Sequence, residues 1–559
     1  MPAVVDQAAD EIANFYQNNP LSAEDKAAAA QKLWDAGLKL SFIYLLYALI
    51  NGFFLFLTRQ TIIVMSRNIE YDLKNEIFDH YQRLSISFFK KNNTGDLMNR
   101  ISEDVGKVRM YLGPAIMYSL NVFVLFTMVI TFMFNKNTAL TLYVLTPLPI
   151  LSFIIYKISF LINKKSERTQ HQQSLLSTFV QEAFSGIRVV KAYNRENYFQ
   201  NKFNTETENY KRASLSLAFV NSFFLPAIVL LIGLSTILTI YIGGIKTIDQ
   251  EIDYGDILQF VFYINLLTWP FASIGWVTSL IQRAAASQKR INEFLIQNES
   301  INNNSSAKLP AIASISFNDI TFSYEHTNIQ ALTNVSFSIK KGQTLGIIGK
   351  TGAGKSTIAT LLCRLYDINS GSILLNNENI KSIDLDDLRI KIGYVPQDVF
   401  LFSDTIKNNI LFGVQDENID ENEVINAAKN AHIHHDIMEF PENYNTKVGE
   451  RGITLSGGQK QRISIARALI RNPQVLILDD CLSAVDTETE DSILTNIKKY
   501  SSNTISIIIG HRISSVAASN HILVLENGKV IEQGNHQDLL KAKGYYHEIN
   551  QKQLMEKKE

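Results

Sequence analysis

The feature that most constrains this chain is a set of five long stretches without a charged residue, all in its first half. Inside a bilayer no water can pair with backbone N–H and C=O groups, so a spanning segment must be a helix or part of a closed barrel. A helix crosses the hydrocarbon core with about 20 apolar residues, and buried helices of a soluble core do not supply five such runs. The predicted spans are 40–58 (continuing past Arg59 to residue 66), 110–135, 137–156, 213–245 and 257–282.

Composition excludes several other classes of protein. The chain has 559 residues, which predicts more than one domain. Its 46% hydrophobic residues argue against a disordered chain. The net charge of −1 argues against a nucleic-acid binder that relies on bulk positive charge. The two cysteines, Cys363 and Cys481, are too few for a disulfide scaffold.

Positive charges predict the orientation of the spans. The segments 66–109 and 163–212 carry eight and nine Lys and Arg residues, whereas the turns near Lys136 and Lys246 carry few. Such segments stay on the cytoplasmic side, so the chain after the fifth span is also cytoplasmic. Both segments have helical patterns and fold as hairpins with tips near 88–95 and 186–195. Few cysteines and no transit pattern favour a bacterial inner membrane.

A change of pattern divides the chain. Residues 298–310 are rich in Asn and Ser and indicate a linker, after which short β-rich runs alternate with helices. The predicted segments are a polar N-terminal segment 1–37, a transmembrane domain 38–297, a linker 298–312, an α/β domain 313–550 and a solvated tail 551–559.

Two motifs in the second half indicate phosphate chemistry. Gly349–Ser356 reads GKTGAGKS, follows an apolar strand and precedes a helix, which is the setting of a phosphate-binding loop (P-loop). Lys355 can reach the β- and γ-phosphates, and Ser356 can hold Mg²⁺. The run VLILDD at 475–480 predicts a buried strand whose Asp479 reaches the same ion.

A third motif, LSGGQ at 455–459, lies between the other two. Ser456 is a good N-cap, and glycines at a helix start expose amides to an anion. With this string the second half resembles the nucleotide-binding domain of ABC transporters over 315–548. The first half, including 70–105, resembles the spanning domain of ABC exporters. The resemblance implies an all-α transmembrane domain followed by an α/β P-loop domain, with ATP and Mg²⁺ as cofactors.

The resemblance also implies roles for individual residues. Tyr324 would stack on adenine, Gln397 would sense Mg²⁺ and contact the coupling helices, and His511 would contact the γ-phosphate. Segment 483–486 would act across a dimer, and 446–452 would contact the partner's coupling helix. The implied nucleotide-binding residues are Tyr324, Gly349, Lys350, Thr351, Gly352, Ala353, Gly354, Lys355, Ser356, Thr357, Ser456, Gly457, Gly458 and Gln459; the implied Mg²⁺ ligands are Ser356, Gln397 and Asp479; and the implied catalytic residues are Asp480, His511 and Gln397.

Two departures from the family pattern bear on assembly. The family places Glu, as general base, where this chain has Asp480, and the shorter carboxylate retracts by about 1 Å, which can cost about 10² in rate. Because each ATP of the family lies between one chain's P-loop and the other's LSGGQ, we expect a second half-transporter. That partner is either a different subunit with Glu or a second copy of this chain. The family also has six spans, so 1–37 resembles the connection after a first helix, and we expect an upstream apolar run in the gene.

These features predict an ATP-driven exporter of an apolar or amphipathic drug or lipid, surrounded by membrane lipid and without a nucleic-acid partner. The alternatives are a homodimeric flippase with slow ATPase, a soluble-type ABC ATPase without transport, and a secondary carrier with a regulatory ATPase. No Asp, Glu, Lys or His lies deep in a span, which argues against the carrier. Aromatic residues of the last span suit such a cargo or anchor the helix: Phe262, Tyr263, Trp269, Phe271 and Trp276.

Three local patterns are interpreted as inert. His432, His434 and His435 do not share one helix face, which favours a solvated helix over a metal site. The sequon at 92–94 should be cytoplasmic and unmodified. The C-terminal run QKQLMEKKE should be solvated.

Overall fold

The computed structural model describes residues 23–301, 303, 305–325, 327–415, 419–449, 455–483, 485–501 and 503–556. It divides into two compact units. The first comprises Met1–His80 and Leu97–Gln297, and the second comprises Tyr81–Asp96 and Asn298–Glu559. The division after Gln297 falls where the sequence predicts the linker to begin.

The first unit is helical throughout its described part. Its longest helix, α1, spans 61 residues and begins inside the segment predicted as a polar N-terminal connection. The Ala-rich run at 27–30 explains this, because alanine has the highest helix propensity. Residues 1–22 of that predicted segment lie outside the described residues. The helices before the linker, of which α2 belongs to the second unit, are α1 (Ala23–Arg83), α2 (Ile86–Lys91), α3 (Thr94–Asn99), α4 (Val105–Met110), α5 (Ile116–Lys136), α6 (Thr138–Leu145), α7 (Pro147–Ser185), α8 (Ile187–Ala192), α9 (Glu196–Ser222), α10 (Phe224–Ile248) and α11 (Tyr254–Leu295), with π-helical turns at Arg100–Asp104 and Tyr111–Ala115.

Both predicted cytoplasmic segments are helical, with a short helix at each predicted tip. α2 and α8 have six residues each. After α2 the chain turns where the side-chain oxygen of Asn93 accepts a hydrogen bond from the backbone N–H of Gly95, at 2.9 Å. Such side-chain bonds offer the backbone an alternative to helix. In the chain, α8 follows Gly186, and Arg195 precedes the next helix. The long helices before and after α8, which are α7 and α9, pack against each other.

Four segments of the described chain have the length and apolar composition to cross a membrane. At most 29% of the residues in their most apolar windows are buried within the chain, so lipid or another protein must cover the rest. They contain four of the five predicted spans. The remaining one, 137–156, falls across α6 and α7, which are separated at Thr146 because Pro147 starts a new helix. The four segments are Trp34–Arg83, Thr94–Lys136, Glu196–Ile248 and Tyr254–Leu295.

An ion pair with a buried carboxylate joins two of the helical segments in this unit. Asp104 is 4% exposed, and its carboxylate accepts hydrogen bonds from Ser287 Oγ at 2.8 Å and from Arg290 Nε at 2.9 Å. Ser287 and Arg290 lie within the last three turns of α11, whereas Asp104 precedes α4. The pair therefore fixes the end of α11 against the segment that follows the first hairpin tip.

The second unit contains two sheets. A four-stranded antiparallel sheet has the order β2-β1-β4-β5, and a six-stranded sheet has the order β10-β9-β3-β8-β7-β6. In the larger sheet β9, β3, β8, β7 and β6 are parallel, and β10 is antiparallel. The strands are β1 (Ser314–Tyr324), β2 (Ile329–Lys340), β3 (Thr344–Gly349), β4 (Ser370–Leu375), β5 (Glu378–Asn379), β6 (Ile392–Val395), β7 (Val475–Asp479), β8 (Ile505–Gly510), β9 (His521–Glu526) and β10 (Lys529–Gly534).

The register of the larger sheet brings three strand ends to one edge. Ile348 of β3 pairs with Gly510 of β8, and Asp479 of β7 pairs with Ile509. These strands are apolar and buried, as expected for a parallel sheet covered on both faces. In such sheets ligands bind outside the carboxyl ends of the strands. This edge therefore carries the P-loop, Asp479 at the end of β7, Asp480 directly after it, and His511.

Helices complete the second unit. One group, α14 to α17, shares a hydrophobic cluster with α18 and α19. The last helix includes residues 551–556 of the predicted tail. Within it Lys552 is exposed, but Gln553 is half-buried. The prediction of a solvated tail is therefore wrong at Gln553. The helices are α12 (Lys355–Leu362), α13 (Leu385–Ile390), α14 (Ile406–Leu411), α15 (Glu421–Asn430), α16 (His434–Glu439), α17 (Gly457–Leu469), α18 (Thr487–Ser501), α19 (Ile513–Val516), α20 (His536–Ala542) and α21 (Tyr545–Glu556).

The ion pair of Asp104 yields a prediction for stability. Asp104→Ala removes the carboxylate that accepts hydrogen bonds from Arg290 and Ser287, and we expect a loss of about 1–3 kcal/mol, measured as a lower midpoint of thermal unfolding in detergent. Glu103→Ala is the matched control, because that neighbouring side chain is 63% exposed. Equal midpoints for both variants would contradict a structural role for the pair.

Candidate nucleotide site

Two glycines set the shape of the P-loop. Gly352 and Gly354 have φ values of 81° and 93°, a region that other residues rarely adopt. At Gly354 a Cβ atom would also lie 2.3 Å from the carbonyl oxygen of Ala331. Glycine is therefore required there on both counts, and the loop leads directly into α12. Backbone N–H groups at such a turn and helix start are a ready site for phosphate.

Lys355, the first residue of α12, points back into the loop. Its Nζ donates hydrogen bonds to the carbonyl oxygens of Gly349 at 2.9 Å and Lys350 at 3.0 Å. It also lies 3.3 Å from Nε2 of His511. Burial lowers the pKa of Lys355, and the charges of Asp480 and Asp479 oppose that shift. The ammonium group is thus placed beside both the loop and the carboxylates after β7.

Ser356 and Asp479, the two residues predicted to hold Mg²⁺ with Gln397, are in contact. Ser356 Oγ donates to Asp479 Oδ1 at 2.8 Å, and Tyr394 Oη donates to Oδ2 at 3.4 Å. Burial raises the pKa of Asp479, against the effect of both hydrogen bonds. Hydroxyl and carboxylate oxygens are the donors that Mg²⁺ prefers. In the described part of the chain no group of three His, Cys, Asp or Glu side chains could hold a metal ion. Mg²⁺ bound at Ser356 and Asp479 would therefore take further ligands from phosphate oxygens.

Asp480 lies at the centre of the predicted catalytic residues. Its Oδ2 accepts a hydrogen bond from Gln397 Nε2 at 3.3 Å and lies 3.8 Å from Nε2 of His511. Its φ is 46°, a left-handed value that Asp tolerates better than most residues. Its N–H donates to the carbonyl oxygen of Ile509 at 2.9 Å. Burial raises the pKa of the Asp480 carboxyl, opposed by His511 and Lys355.

Tyr324 lies beside the first turn of α12. Its hydroxyl is 3.1 Å from Oγ1 of Thr357, another predicted nucleotide contact. Its ring meets that of Tyr366 edge to face, with centroids 5.3 Å apart. Nζ of Lys90, from α2, lies 5.4 Å from the Tyr324 centroid. The sequence analysis did not identify Lys90 as a neighbour, because 234 residues separate it from Tyr324 in the chain.

The LSGGQ segment forms a helix start of its own. Ser456 caps α17 by accepting from the N–H of Gln459 at 3.2 Å, and Gln459 Oε1 accepts from the N–H of Ser456 at 3.0 Å. This reciprocal pair is a capping box. Nε2 of Gln459 also donates to Asp436 of α16 at 3.3 Å. The first residues of α17 are thereby fixed in the helical part of the unit.

The segment after Asp480 is tied to the one that follows β8. Arg512 donates through Nη2 to the carbonyl oxygen of Ser483 and through Nη1 to Glu490, both at 3.1 Å. Asp486 caps α18 by accepting from the N–H of Thr489 at 2.9 Å. Ala484 of the predicted segment 483–486 lies outside the described residues. Sequence reasoning missed Arg512, although its position directly after His511 could have indicated it.

The remaining predictions are placed as follows. In the segment 446–452, the backbone of Thr446 accepts from the N–H of Ile406 at 3.1 Å, and residues 450–452 lie outside the described residues. The histidine cluster is divided by structure: Nδ1 of His434 lies 2.8 Å from the hydroxyl of Tyr444. The His435 side chain is 92% exposed. His435 fits the predicted solvated helix, whereas the half-buried His434 and the position of His432 before α16 correct that prediction.

Comparison with known proteins decides the family. Residues 13–271 match the ABC transporter transmembrane region, and residues 332–483 match the ABC transporter domain. The chain belongs to the ABC transporter family. It has the architecture of an exporter half-transporter, with a helical membrane domain followed by a P-loop domain, and both the predicted fold class and the predicted ATPase coupled to transport are confirmed. The alternative prediction of a soluble-type ABC ATPase without transport is therefore wrong.

Individual relatives are similar over most of their length. The probable multidrug resistance ABC transporter protein YheI of Bacillus subtilis is 38% identical over 86% of this chain and 83% of its own. The ATP-dependent lipid A-core flippase of Syntrophus aciditrophicus is 32% identical over 88% and 82%. A solved bacterial Atm1-family ABC exporter with ATP bound has a TM-score of 0.79 at 27% identity, covering 95% of this chain and 93% of that one. The chain is thus an integral membrane protein and an ABC exporter that binds ATP.

The position of Tyr324 gives a prediction for nucleotide affinity. If its ring stacks on adenine, Tyr324→Ala should weaken ATP binding about tenfold or more, since stacking on an aromatic contributes about 1–3 kcal/mol per base. Tyr324→Phe is the matched control, because it keeps the ring and removes the hydroxyl that contacts Thr357. Titration with ATP measures both. Equal weakening in the two variants would show that the hydroxyl, and not stacking, matters.

Proposed function

We propose that this exporter works with a different half-transporter, and that the ATP site built on its own P-loop is the slow one of the two. The single observation that supports this is Asp480. It stands where its family places Glu, yet its carboxylate contacts both Gln397 and His511. The site is therefore assembled, but its base is one methylene shorter than usual. An attacking water would lie beyond its ordinary hydrogen-bond reach, since general bases act at about 2.6–3.2 Å.

The described contacts suggest a role for each neighbouring residue. Lys355 would neutralise the β- and γ-phosphates once they replace the loop carbonyls as its partners. Ser356, Asp479 and Gln397 would hold Mg²⁺, which when bound neutralises charge that develops on the phosphates. His511 would contact the γ-phosphate from the end of β8. The capped start of α17, with Ser456 to Gln459, would complete the competent site on the partner's P-loop.

The same arrangement suggests how ATP drives the membrane helices. ATP held between one chain's P-loop and the other's LSGGQ would close the two nucleotide-binding domains. The short helices α2 and α8, at the tips of the two cytoplasmic hairpins, would pass this motion to the spans. Release of phosphate after hydrolysis would separate the domains again. The positive charges at both hairpins support a cytoplasmic location of the nucleotide-binding domain. The membrane that the helices cross would be a bacterial inner membrane.

We further propose an apolar or amphipathic cargo, a drug or a lipid. A cavity of about 260 Å³ lies in the membrane unit between α7 and α11. Among the described residues that line it, all are apolar, aromatic or uncharged polar; they include Tyr156, Phe160, Phe271 and Thr278. Such a lining favours a molecule with few charges. The relatives are described as a multidrug transporter and a lipid A-core flippase, which supports the same class.

The aromatic residues of the last predicted span have different surroundings. Phe271 lines the cavity, whereas Phe262 and Trp269 are 73% and 62% exposed on the unit surface. Trp276 packs edge to face on Tyr118, with centroids 5.4 Å apart. Phe271 is therefore the member of this set that supports a cargo contact, and the exposed pair suits anchoring in lipid.

The slow-site proposal predicts a gain of activity. Asp480→Glu restores the missing methylene, and we expect kcat of the purified chain, or of its complex with the neighbouring half-transporter, to rise by about 10–100-fold at this site. Asp480→Asn is the matched control, because it has the same length without the carboxylate and should give no gain. Full ATPase activity of the wild-type chain alone, unchanged by Asp480→Glu, would instead favour the homodimer.

The transport proposal predicts that cargo movement depends on Lys355. Lys355→Ala removes the cation beside the loop, and we expect ATP-dependent uptake of a fluorescent apolar dye or labelled lipid into inside-out vesicles to fall to background. Lys341→Ala, at an exposed lysine of the same unit, should transport like wild type. If uptake persists in Lys355→Ala, cargo movement does not depend on this P-loop lysine, and the proposal is contradicted.

A further inference from the structure

The last helix of the chain touches the nucleotide site at two separate points. Near its start, Tyr545 faces the P-loop: Nζ of Lys350 lies 5.3 Å from the centroid of the Tyr545 ring. Near its end, Gln553 contacts the turn that carries His511. Eight residues of helix, about 12 Å, separate the two contacts. One rigid element therefore joins the P-loop to the residue proposed to bind the γ-phosphate.

Gln553 holds the backbone on both sides of that turn. Its Nε2 donates to the carbonyl oxygen of His511 at 2.8 Å, and its Oε1 accepts from the N–H of Ile513 at 2.8 Å. Both groups of the amide are thus used, one on His511 itself and one on the first residue of α19. A side chain that satisfies two backbone groups two residues apart fixes the dihedral angles between them.

The helix that carries Gln553 is itself firmly placed. The carboxylate of Glu532 accepts hydrogen bonds from the N–H groups of Tyr545 and Tyr546 at the start of α21, the second at 3.1 Å. An acidic group at this end is favourable for the helix dipole. Tyr546 is fully buried, and its hydroxyl lies 2.7 Å from Nδ1 of His536. Gln553 therefore projects from a fixed support and not from a loose terminus.

The side chain of His511 depends on this backbone. Its Nε2 lies near both Lys355 Nζ and Asp480 Oδ2, and no rigid strand holds it, because β8 ends at Gly510. The neighbouring Arg512 is held through its side chain by Glu490 and Ser483. The backbone of His511 and Ile513 is held by Gln553. These two sets of contacts set the direction in which the imidazole points.

We infer that Gln553 is a positioning residue for His511, and that α21 aligns the P-loop and His511 on one γ-phosphate. This inference rests on the proposed contact of His511 with that phosphate. It predicts that Gln553 affects the binding affinity for ATP, which has a γ-phosphate, and leaves the affinity for ADP, which lacks it, unchanged. A merely structural role would affect both nucleotides or the stability of the fold.

The test compares two nucleotides on the full chain purified in detergent. Titration with a non-hydrolysable ATP analogue and with ADP, both with Mg²⁺, should show that Gln553→Ala weakens the analogue about fivefold or more while ADP stays within about twofold, as for loss of a contact to a charged group. Gln553→Asn should behave alike, because its shorter amide cannot reach both backbone groups. Lys552→Ala, at the exposed neighbouring position, is the matched control and should bind both like wild type.

A double mutant distinguishes positioning from an independent contact. In the His511→Ala background, Gln553→Ala should cause no further loss of analogue affinity, since coupled residues are not additive. Equal weakening of ADP, a full additional loss in that background, or unchanged analogue binding would each overturn the inference. A wild-type chain that binds neither nucleotide would overturn the proposed function instead, which keeps the two failures distinct.

Discussion

The parallel pairing of β3, β7 and β8 is the constraint on which the rest of the nucleotide site depends. Their register aligns Ile348 with Gly510 and Asp479 with Ile509. Because parallel strands all end at one edge, three segments that are far apart in the chain begin their loops side by side. The short contacts of Ser356 with Asp479, and of Lys355 with His511, follow from that alignment. A shift of one residue in any of these strands would turn a catalytic side chain into the core.

The membrane unit follows a different constraint. Its backbone is satisfied inside helices, so its folding in lipid does not require each apolar side chain to find a partner within the chain. This explains why α1 has so much exposed apolar surface, which in a water-soluble domain would cause aggregation. The unit also contains polar contacts between its helical segments, such as the pair formed by Asp104 and Arg290.

Several predictions from the sequence depended on local chemistry and were met by the structure. The P-loop needs glycine at two left-handed positions and a strand and helix on either side, and all of these are local properties. The helical hairpins and their tips also follow from local pattern. The third predicted span shows the limit of this reasoning, because hydropathy alone does not reveal that Pro147 divides it into two helices. The tail was misjudged at Gln553 for a related reason: a polar residue in a polar run gives no sign of a distant backbone partner.

The sequence by itself determined the class of the protein: membrane-spanning helices, a P-loop and an LSGGQ helix start, each of which is coded by neighbouring residues. It also identified Asp480 as the unusual residue at its position. Only the tertiary structure decided which side chains surround that residue and what holds them, namely Gln397, His511 and, through the backbone, Gln553. The physical reason is that these contacts join segments separated by tens to hundreds of positions, and strand register and helix packing, not local propensity, bring them together.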